Sequence, residues 1–78
     1  MDEKFNALLS VVIIPEVIKI IINKETMDEL KAISEFYNSK TYDLLSKEES
    51  KIWHYSPLTI YVMWKGEKET GEILFPEG

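Results

Sequence analysis

The sequence predicts an all-α fold for residues 1–78, in which a long, kinked N-terminal helix packs against three or four shorter helices and an extended C-terminal tail follows. Three observations support this prediction. The chain has 78 residues, which is the size of one small domain. Its apolar residues recur at helical spacing over most of the length. Four helix-start patterns lie between residues 26 and 57.

The N-terminal helix is predicted for residues 2–22. Apolar side chains follow helical spacing there at Phe5, Leu8, Leu9 and Val12. Residues 11–22 are mostly β-branched and would also suit a buried strand. We favour the helix because the rest of the chain offers no clear partner strand. Pro15 has no N–H to donate, and it is therefore predicted to kink the helix.

The later helices are predicted from N-terminal capping signals. Thr26–Glu29 and Ser46–Glu49 have the form of capping boxes, and Ser39 suits an N-cap. Ser56–Pro57 is typical of an N-cap followed by a first-turn proline. The last helix is expected to end by Gly71. The helices that these signals begin carry apolar residues at Leu30, Ile33, Phe36, Tyr37, Tyr42, Leu45, Ile52, Trp53, Leu58, Ile60, Tyr61, Met63 and Trp64.

Composition excludes several classes of function. The chain has no Cys, so disulfides, thiolate zinc sites, iron–sulfur clusters and cysteine nucleophiles are excluded. It also has no Arg, which removes the bidentate phosphate fork and the arginine finger. The net charge of −5 opposes binding to nucleic acid and to anionic membranes. We predict no cofactor.

A cytoplasmic, bacterial protein is expected. Residues 1–6 are acidic and lack the cationic leader of a secretory signal. The apolar run of residues 11–22 spans 12 residues and includes Glu16 and Lys19, whereas a membrane span needs about 20 apolar residues. We therefore expect a core element and no membrane partner. Ten Ile and nine Lys against two Ala are typical of AT-rich bacterial genomes.

Catalytic and metal sites are not predicted. His54 lies close in sequence to Glu48 and Glu49, and an imidazole with a carboxylate can perform acid–base chemistry. A lone His before a Ser-Pro cap is, however, more typical of a helix C-terminus, where the dipole favours it. Adjacent glutamates on a helix point about 100° apart, so they do not converge on a metal ion. The chain is accordingly predicted not to be an enzyme.

Large apolar side chains in the second half of the chain are the strongest functional signal. A core this small is not expected to enclose all of them, and Trp and Tyr are typical anchors of protein interfaces. The candidate interaction surface is Trp53, Tyr55, Tyr61, Trp64, Ile73, Leu74 and Phe75. The alternative is that the tail folds back and closes the core. Otherwise the tail, or the Ile-rich face of the first element, docks on a second subunit or a partner.

These observations favour a non-catalytic interaction protein that forms a homodimer or binds a protein partner, and an antitoxin-like binder is one form of this function. The alternative is a small DNA-binding regulator, because short helices with tight turns could imitate a helix-turn-helix. Lys40, Lys47 and Lys51 could then share one side. Acidic neighbours surround these lysines, whereas a recognition helix normally brings Arg, Gln or Asn to base edges. Nucleic acid is therefore not the expected partner.

Two blocks within residues 36–77 carry a resemblance. Residues 53–58 read Trp-His-x-Ser-Pro-Leu, and residues 70–77 read Thr-Gly-x-Ile-x-Phe-Pro-Glu. In these blocks the chain resembles a group of short uncharacterised bacterial proteins. The resemblance implies a small cytosolic helical protein, in a group associated with toxin–antitoxin-like gene clusters. It carries over no functional residues.

Overall fold

The computed structural model describes residues 3–73 and residue 75, and it confirms the all-α prediction. Four α-helices are connected in order, and within the described residues there is no strand. The helices are α1 (Glu3–Glu25), α2 (Glu29–Tyr37), α3 (Lys40–Leu45) and α4 (Pro57–Thr70). Two 3-10 turns, Glu48–Ser50 and Ile52–His54, connect α3 to α4. The resulting body measures 33 × 27 × 20 Å.

Helix α1 contains a π-helical segment where the sequence predicted a proline kink. The segment spans Leu8–Ile13 and ends just before Pro15. The Ile14 N–H donates to the Leu9 carbonyl, five residues back. An α-helical Pro15 would lack its N–H and press its ring on the carbonyl four residues back, and a wider turn relieves this conflict. The β-branched run therefore lies within one continuous 23-residue helix and not in a strand.

The hydrophobic core lies along one side of α1. Its buried positions recur every four residues at Phe5, Leu9, Ile13, Val17 and Ile21. Helix α4 packs on this side and buries Ile60, Tyr61, Met63 and Trp64. Helix α2 contributes Ala32 and Phe36, and the connecting segments close the core with Leu45 and Ile52. One long helix thus supplies the surface on which the shorter helices assemble.

Two of the predicted helix caps are confirmed. The Ser39 hydroxyl accepts the Tyr42 N–H at 3.0 Å, and the Ser56 hydroxyl accepts the Thr59 N–H at 3.2 Å. Both serines thereby satisfy backbone donors that the first helical turn leaves without a partner. Gly71 ends α4 in the left-handed conformation, at φ 83°, which glycine adopts without steric penalty.

The two predicted capping boxes are wrong. Thr26 ends α1 in the left-handed conformation, and Asp28 is the N-cap of α2, with its carboxylate accepting the Lys31 N–H at 2.9 Å. Ser46 ends α3, and its hydroxyl donates to the Asp43 carbonyl. The segment after Ser46 forms two 3-10 turns separated by Lys51 at φ 61°, so a single α-helix does not form there.

Helix α2 is rotated relative to the predicted orientation. Leu30 is 79% exposed and Tyr37 is 44% exposed, although both belonged to the predicted apolar face. Phe36, which was also predicted on that face, is buried as expected, and Ala32, one helical turn before it, faces the core with it. Two apolar side chains of α2 are consequently left at the surface.

Helix α1 is longer than its apolar run alone suggested. Its 23 residues have a mean hydropathy of 2.1 over the most apolar 18-residue window, so its length and composition would suffice to cross a membrane. Of that window, 39% is buried inside the protein. A core helix of a soluble protein passes the same test, and the arrangement here is that of a compact globule.

Candidate functional site

An apolar groove of about 330 Å³ runs between α1 and α2. Its floor includes the buried residues Ile14 and Ile18. A short link connects the two helices, which pack against each other side by side. The groove lies between their outer faces. The residues lining it are Ser10, Ile14, Pro15, Ile18, Lys19, Ile22, Glu29, Ile33 and Tyr37.

Exposed apolar side chains border the groove. Leu30 precedes the lining residue Ile33 by one helical turn, and Tyr37 follows Ile33 by another. The Tyr37 ring is packed against Tyr42, with centroids 4.5 Å apart. Pre-positioned apolar groups around an apolar groove are typical of a protein-binding surface.

The polar groups of the groove lie at its rim. Ser10, Lys19 and Glu29 are all exposed. The Ser10 carbonyl also lacks its α-helical donor, because the Ile14 N–H bonds to Leu9, and Pro15 has no N–H that could form a π-helical bond to it. The groove therefore offers an apolar floor with accessible polar groups at its edge.

Two members of the sequence-predicted interaction surface belong to the core. Trp64 is 0% exposed and Tyr61 is 8% exposed. Their rings pack with centroids 6.0 Å apart, and the Lys68 ammonium lies 5.2 Å from the Trp64 ring centroid. Neither ring offers a surface to a partner in this structure. The core thus encloses more aromatic side chains than we expected for a domain of this size.

The remaining predicted residues are distributed around the edge of the core. Trp53 and Tyr55 are half-buried, and Trp53 makes an edge contact with Phe5 at 5.8 Å. Ile73 packs on the core, as expected if the tail folds back, whereas Phe75 is 57% exposed. Leu74 lies outside the described residues. The structure does not gather these side chains into one patch with the buried Tyr61 and Trp64.

A polar cluster ties the end of α1 to α4. Glu25 accepts a hydrogen bond from the Tyr61 hydroxyl at 2.5 Å and an ion-paired bond from Lys65 at 2.8 Å. These hydrogen bonds, from Lys65 first, hold the pKa of Glu25 below its ordinary value. The Glu25 carboxylate in turn raises the pKa of Lys65. Burial, followed by the bond to Glu25, raises the pKa of Tyr61 to about 12. The cluster joins two helices and lies away from the groove.

The raised pKa of Tyr61 predicts a loss of stability at high pH. The folded state keeps the phenol proton up to about pH 12, whereas an unfolded tyrosine ionises near 10. The stabilisation is complete below the unfolded value and is lost as the pH rises through the folded one. We expect the free energy of unfolding to fall by roughly 1 kcal/mol between about pH 9 and pH 11. Urea unfolding at both pH values measures this fall, which should be smaller in Tyr61→Phe; equal falls would contradict the assignment.

Within the described residues, the candidate His54 and its neighbouring glutamates do not assemble into an acid–base or metal site. The His54 ring lies against Trp53 with centroids 4.0 Å apart, and within the described residues no hydrogen bond or ion pair joins it to Glu48 or Glu49. Among residues 3–73 and 75, no three His, Asp or Glu side chains form a group that could hold a metal ion.

The lysines of the alternative DNA-binding surface are partly engaged within the chain. The Lys40 ammonium donates to the Gly71 carbonyl at 3.3 Å, and Lys47 forms an ion pair with Asp43 at 3.1 Å. Lys51 connects the two 3-10 turns. No α-helix presents all three lysines on one side, as groove recognition would require.

Comparison of the chain with models of known protein families, with curated proteins and with solved structures gives no match. The resemblance seen in residues 36–77 therefore stays a prediction.

Proposed function

We propose that this protein is a non-catalytic protein–protein interaction module and that the groove between α1 and α2 is its docking surface. The observation that carries the proposal is the exposure of Leu30 and Tyr37 beside an apolar groove. Leu30 leaves 79% of its surface in water, whereas most of the other large apolar residues that the structure describes are buried or partly buried. Contact with an apolar partner would remove that surface from water.

The chemistry of the groove supports docking over catalysis or small-molecule capture. Sites for small ligands combine an apolar pocket with a few polar groups that converge on the ligand. Here the polar lining groups lie at the rim, and the described Glu25, Tyr61, Lys65 and Glu67, whose pKa values are displaced, serve contacts between segments elsewhere. An open apolar channel between two helices suits a helix laid along it.

Leu30→Glu should remove the binding partner, and Leu58→Glu should not. Both residues are exposed leucines at the second position of their helices, so the two substitutions have similar effects on each helix. Leu30 lies next to Glu29 and one helical turn before Ile33, which both line the groove, whereas no residue of α4 lines it. We expect the new carboxylate to place a charge in the apolar contact and to release the partner.

Native mass spectrometry of the tagged chain, purified gently from its own host, provides the measurement. We expect an associated polypeptide, either a second copy or another protein, with the unsubstituted chain and with Leu58→Glu, and its loss with Leu30→Glu. Circular dichroism of the two variants checks that both remain helical. An associated polypeptide that both variants retain equally would show that the groove is not the docking surface.

A further inference from the structure

The face that carries the groove is complementary to itself. A two-fold dimer requires one patch that contains both a protrusion and a recess, because the same surface serves both partners. Leu30 is the protrusion, and the groove between α1 and α2 is the recess beside it. Building on the proposed function, we propose that the partner of this surface is a second copy of the same chain, bound through a two-fold axis with the two α2 helices antiparallel.

The spacing along α2 fits this arrangement. Leu30 and Tyr37 are exposed and seven residues apart, which is two helical turns. In an antiparallel pair with its axis between Ile33 and Ser34, Leu30 of each copy lies opposite Tyr37 of the other. Ser34 is small and exposed, so the two helices can approach closely at the axis. The same residues thus form both halves of the contact.

Charge complementarity also favours a second copy at this face. The chain carries a net charge of −5, so two copies repel each other over most of their surfaces. The groove is lined by Lys19, which forms an ion pair with Glu16, and by Glu29. On α2 itself, Glu29 is offset by Lys31, and Glu35 is paired with Lys68 of α4. Charges of both signs therefore meet at this face, and two copies repel each other less here than their net charges alone imply.

Sedimentation equilibrium of the purified chain tests this partner directly. We expect a monomer–dimer equilibrium for the unsubstituted chain and for Leu58→Glu. Leu30→Glu should raise the dimer dissociation constant by roughly thirtyfold or more, because two carboxylates would then lie in the apolar contact. A dimer that persists unchanged in a folded Leu30→Glu variant would overturn the assignment of this surface.

A single introduced cysteine tests the position of the axis. The natural chain has no cysteine, so any disulfide formed must join the introduced residue to its copy. Ser34→Cys should give a disulfide-linked dimer under mild oxidation, since the two sulfurs would face each other across the axis. Thr70→Cys, an exposed position at the end of α4, is the matched control and should remain monomeric on a denaturing gel. Equal cross-linking of both variants would contradict the antiparallel α2 contact.

The outcomes also separate this inference from the proposed function. A purified chain that stays monomeric at all concentrations and does not cross-link through Cys at position 34 excludes the second copy as partner. The interaction function itself would still be supported if a different polypeptide accompanied the chain from its host and required Leu30. The proposed function would fail only if Leu30→Glu changed neither the polypeptide that accompanies the chain nor the dimer dissociation constant.

Discussion

Trp64→Ala is expected to unfold much of the protein rather than to weaken an interface. Trp64 is fully buried in the core, packed against Tyr61 and with the Lys68 ammonium over its ring. Truncating a buried tryptophan costs about 3–5 kcal/mol, because contacts are lost and a cavity remains. A domain of this length has a total stability of roughly 4–12 kcal/mol. One substitution can therefore remove a large share of the folding free energy.

Urea unfolding followed by helical circular dichroism measures this effect. Phe75→Ala is the control from the same predicted surface, and its 57% exposure implies almost no shift of the midpoint. A Trp64→Ala variant with the midpoint of the unsubstituted chain would contradict the buried position. Any loss of association in this variant must be judged against its loss of folding, which is why Leu30 and not Trp64 is the informative position for the interface.

Trp64→Phe should be considerably milder than Trp64→Ala. Phenylalanine keeps much of the buried aromatic volume, and the indole Nε1–H of Trp64 has no hydrogen-bond partner among the described residues. Its removal relieves a desolvation penalty of about 1–3 kcal/mol, which offsets part of the lost packing. A midpoint for Trp64→Phe close to that of Trp64→Ala would indicate that the N–H is satisfied in solution.

Local signals predicted two of the helix N-caps correctly. Ser39 and Ser56 are these positions, and each accepts the amide N–H three residues onward. Between α1 and α2, Thr26 and Asp28 are both competent caps only two residues apart. The chain reverses at Thr26, which adopts the left-handed conformation, so the cap falls on Asp28. The position of the cap thus depends on where the chain reverses, which the sequence pattern alone did not indicate.

The segment after Ser46 failed as a predicted helix because side chains compete for its backbone. The Ser50 hydroxyl donates toward the carbonyls of Leu44 and Lys47, at 2.6 and 2.8 Å. Such local bonds offer the chain an alternative to helical pairing. Trp53 adds a further bond, from Nε1 to the Glu48 carbonyl at 2.9 Å. The resulting turns place Trp53 against Phe5 rather than on a helix face.

The groove between α1 and α2 was only partly predictable. An Ile-rich face available for docking was one sequence-based alternative, and Ile14, Ile18 and Ile22 indeed line the groove. Leu30 and Tyr37 were assigned to the inside of α2, because the apolar residues of that helix cover too wide an arc to identify the buried side. Ala32 marks the buried side, but its small side chain gives a weak hydrophobic signal. The abundance of aromatic residues likewise did not indicate that Trp64 would be buried in the core.

Glu67→Ala should destabilise the fold by about 2–3 kcal/mol, which is large for a partly buried carboxylate. The Glu67 side chain crosses from α4 to the start of α3, where it accepts the N–H groups of Lys40 and Thr41, both at 2.9 Å. It also accepts the Thr41 hydroxyl at 2.8 Å. Thr41 is fully buried, so the variant leaves its N–H and hydroxyl without these partners. The favourable charge at a helix N-terminus is lost as well.

Urea unfolding of Glu67→Ala, Glu67→Gln and Glu69→Ala measures this contribution. Glutamine keeps an acceptor oxygen but not the charge. Glu67→Gln should therefore lose less free energy of unfolding than Glu67→Ala, but more than zero. Glu69 is exposed on the same helix and serves as the surface control, with little expected change. Equal midpoints for Glu67→Ala and Glu69→Ala would show that the bridge between α3 and α4 does not stabilise the fold.

The same bridge predicts how stability depends on acid. Partial burial alone would raise the pKa of Glu67, but the hydrogen bonds from Lys40 and Thr41 outweigh it and hold the pKa below 4.5. Because the folded pKa is the lower one, the stabilisation is present above the unfolded value of 4.5 and is lost as the pH falls through the folded value. Glu67→Gln has no such proton to gain. The stability difference between the unsubstituted chain and Glu67→Gln should therefore shrink as the pH drops below about 4.5, and a difference that stays constant to lower pH would contradict an ionised Glu67 cap.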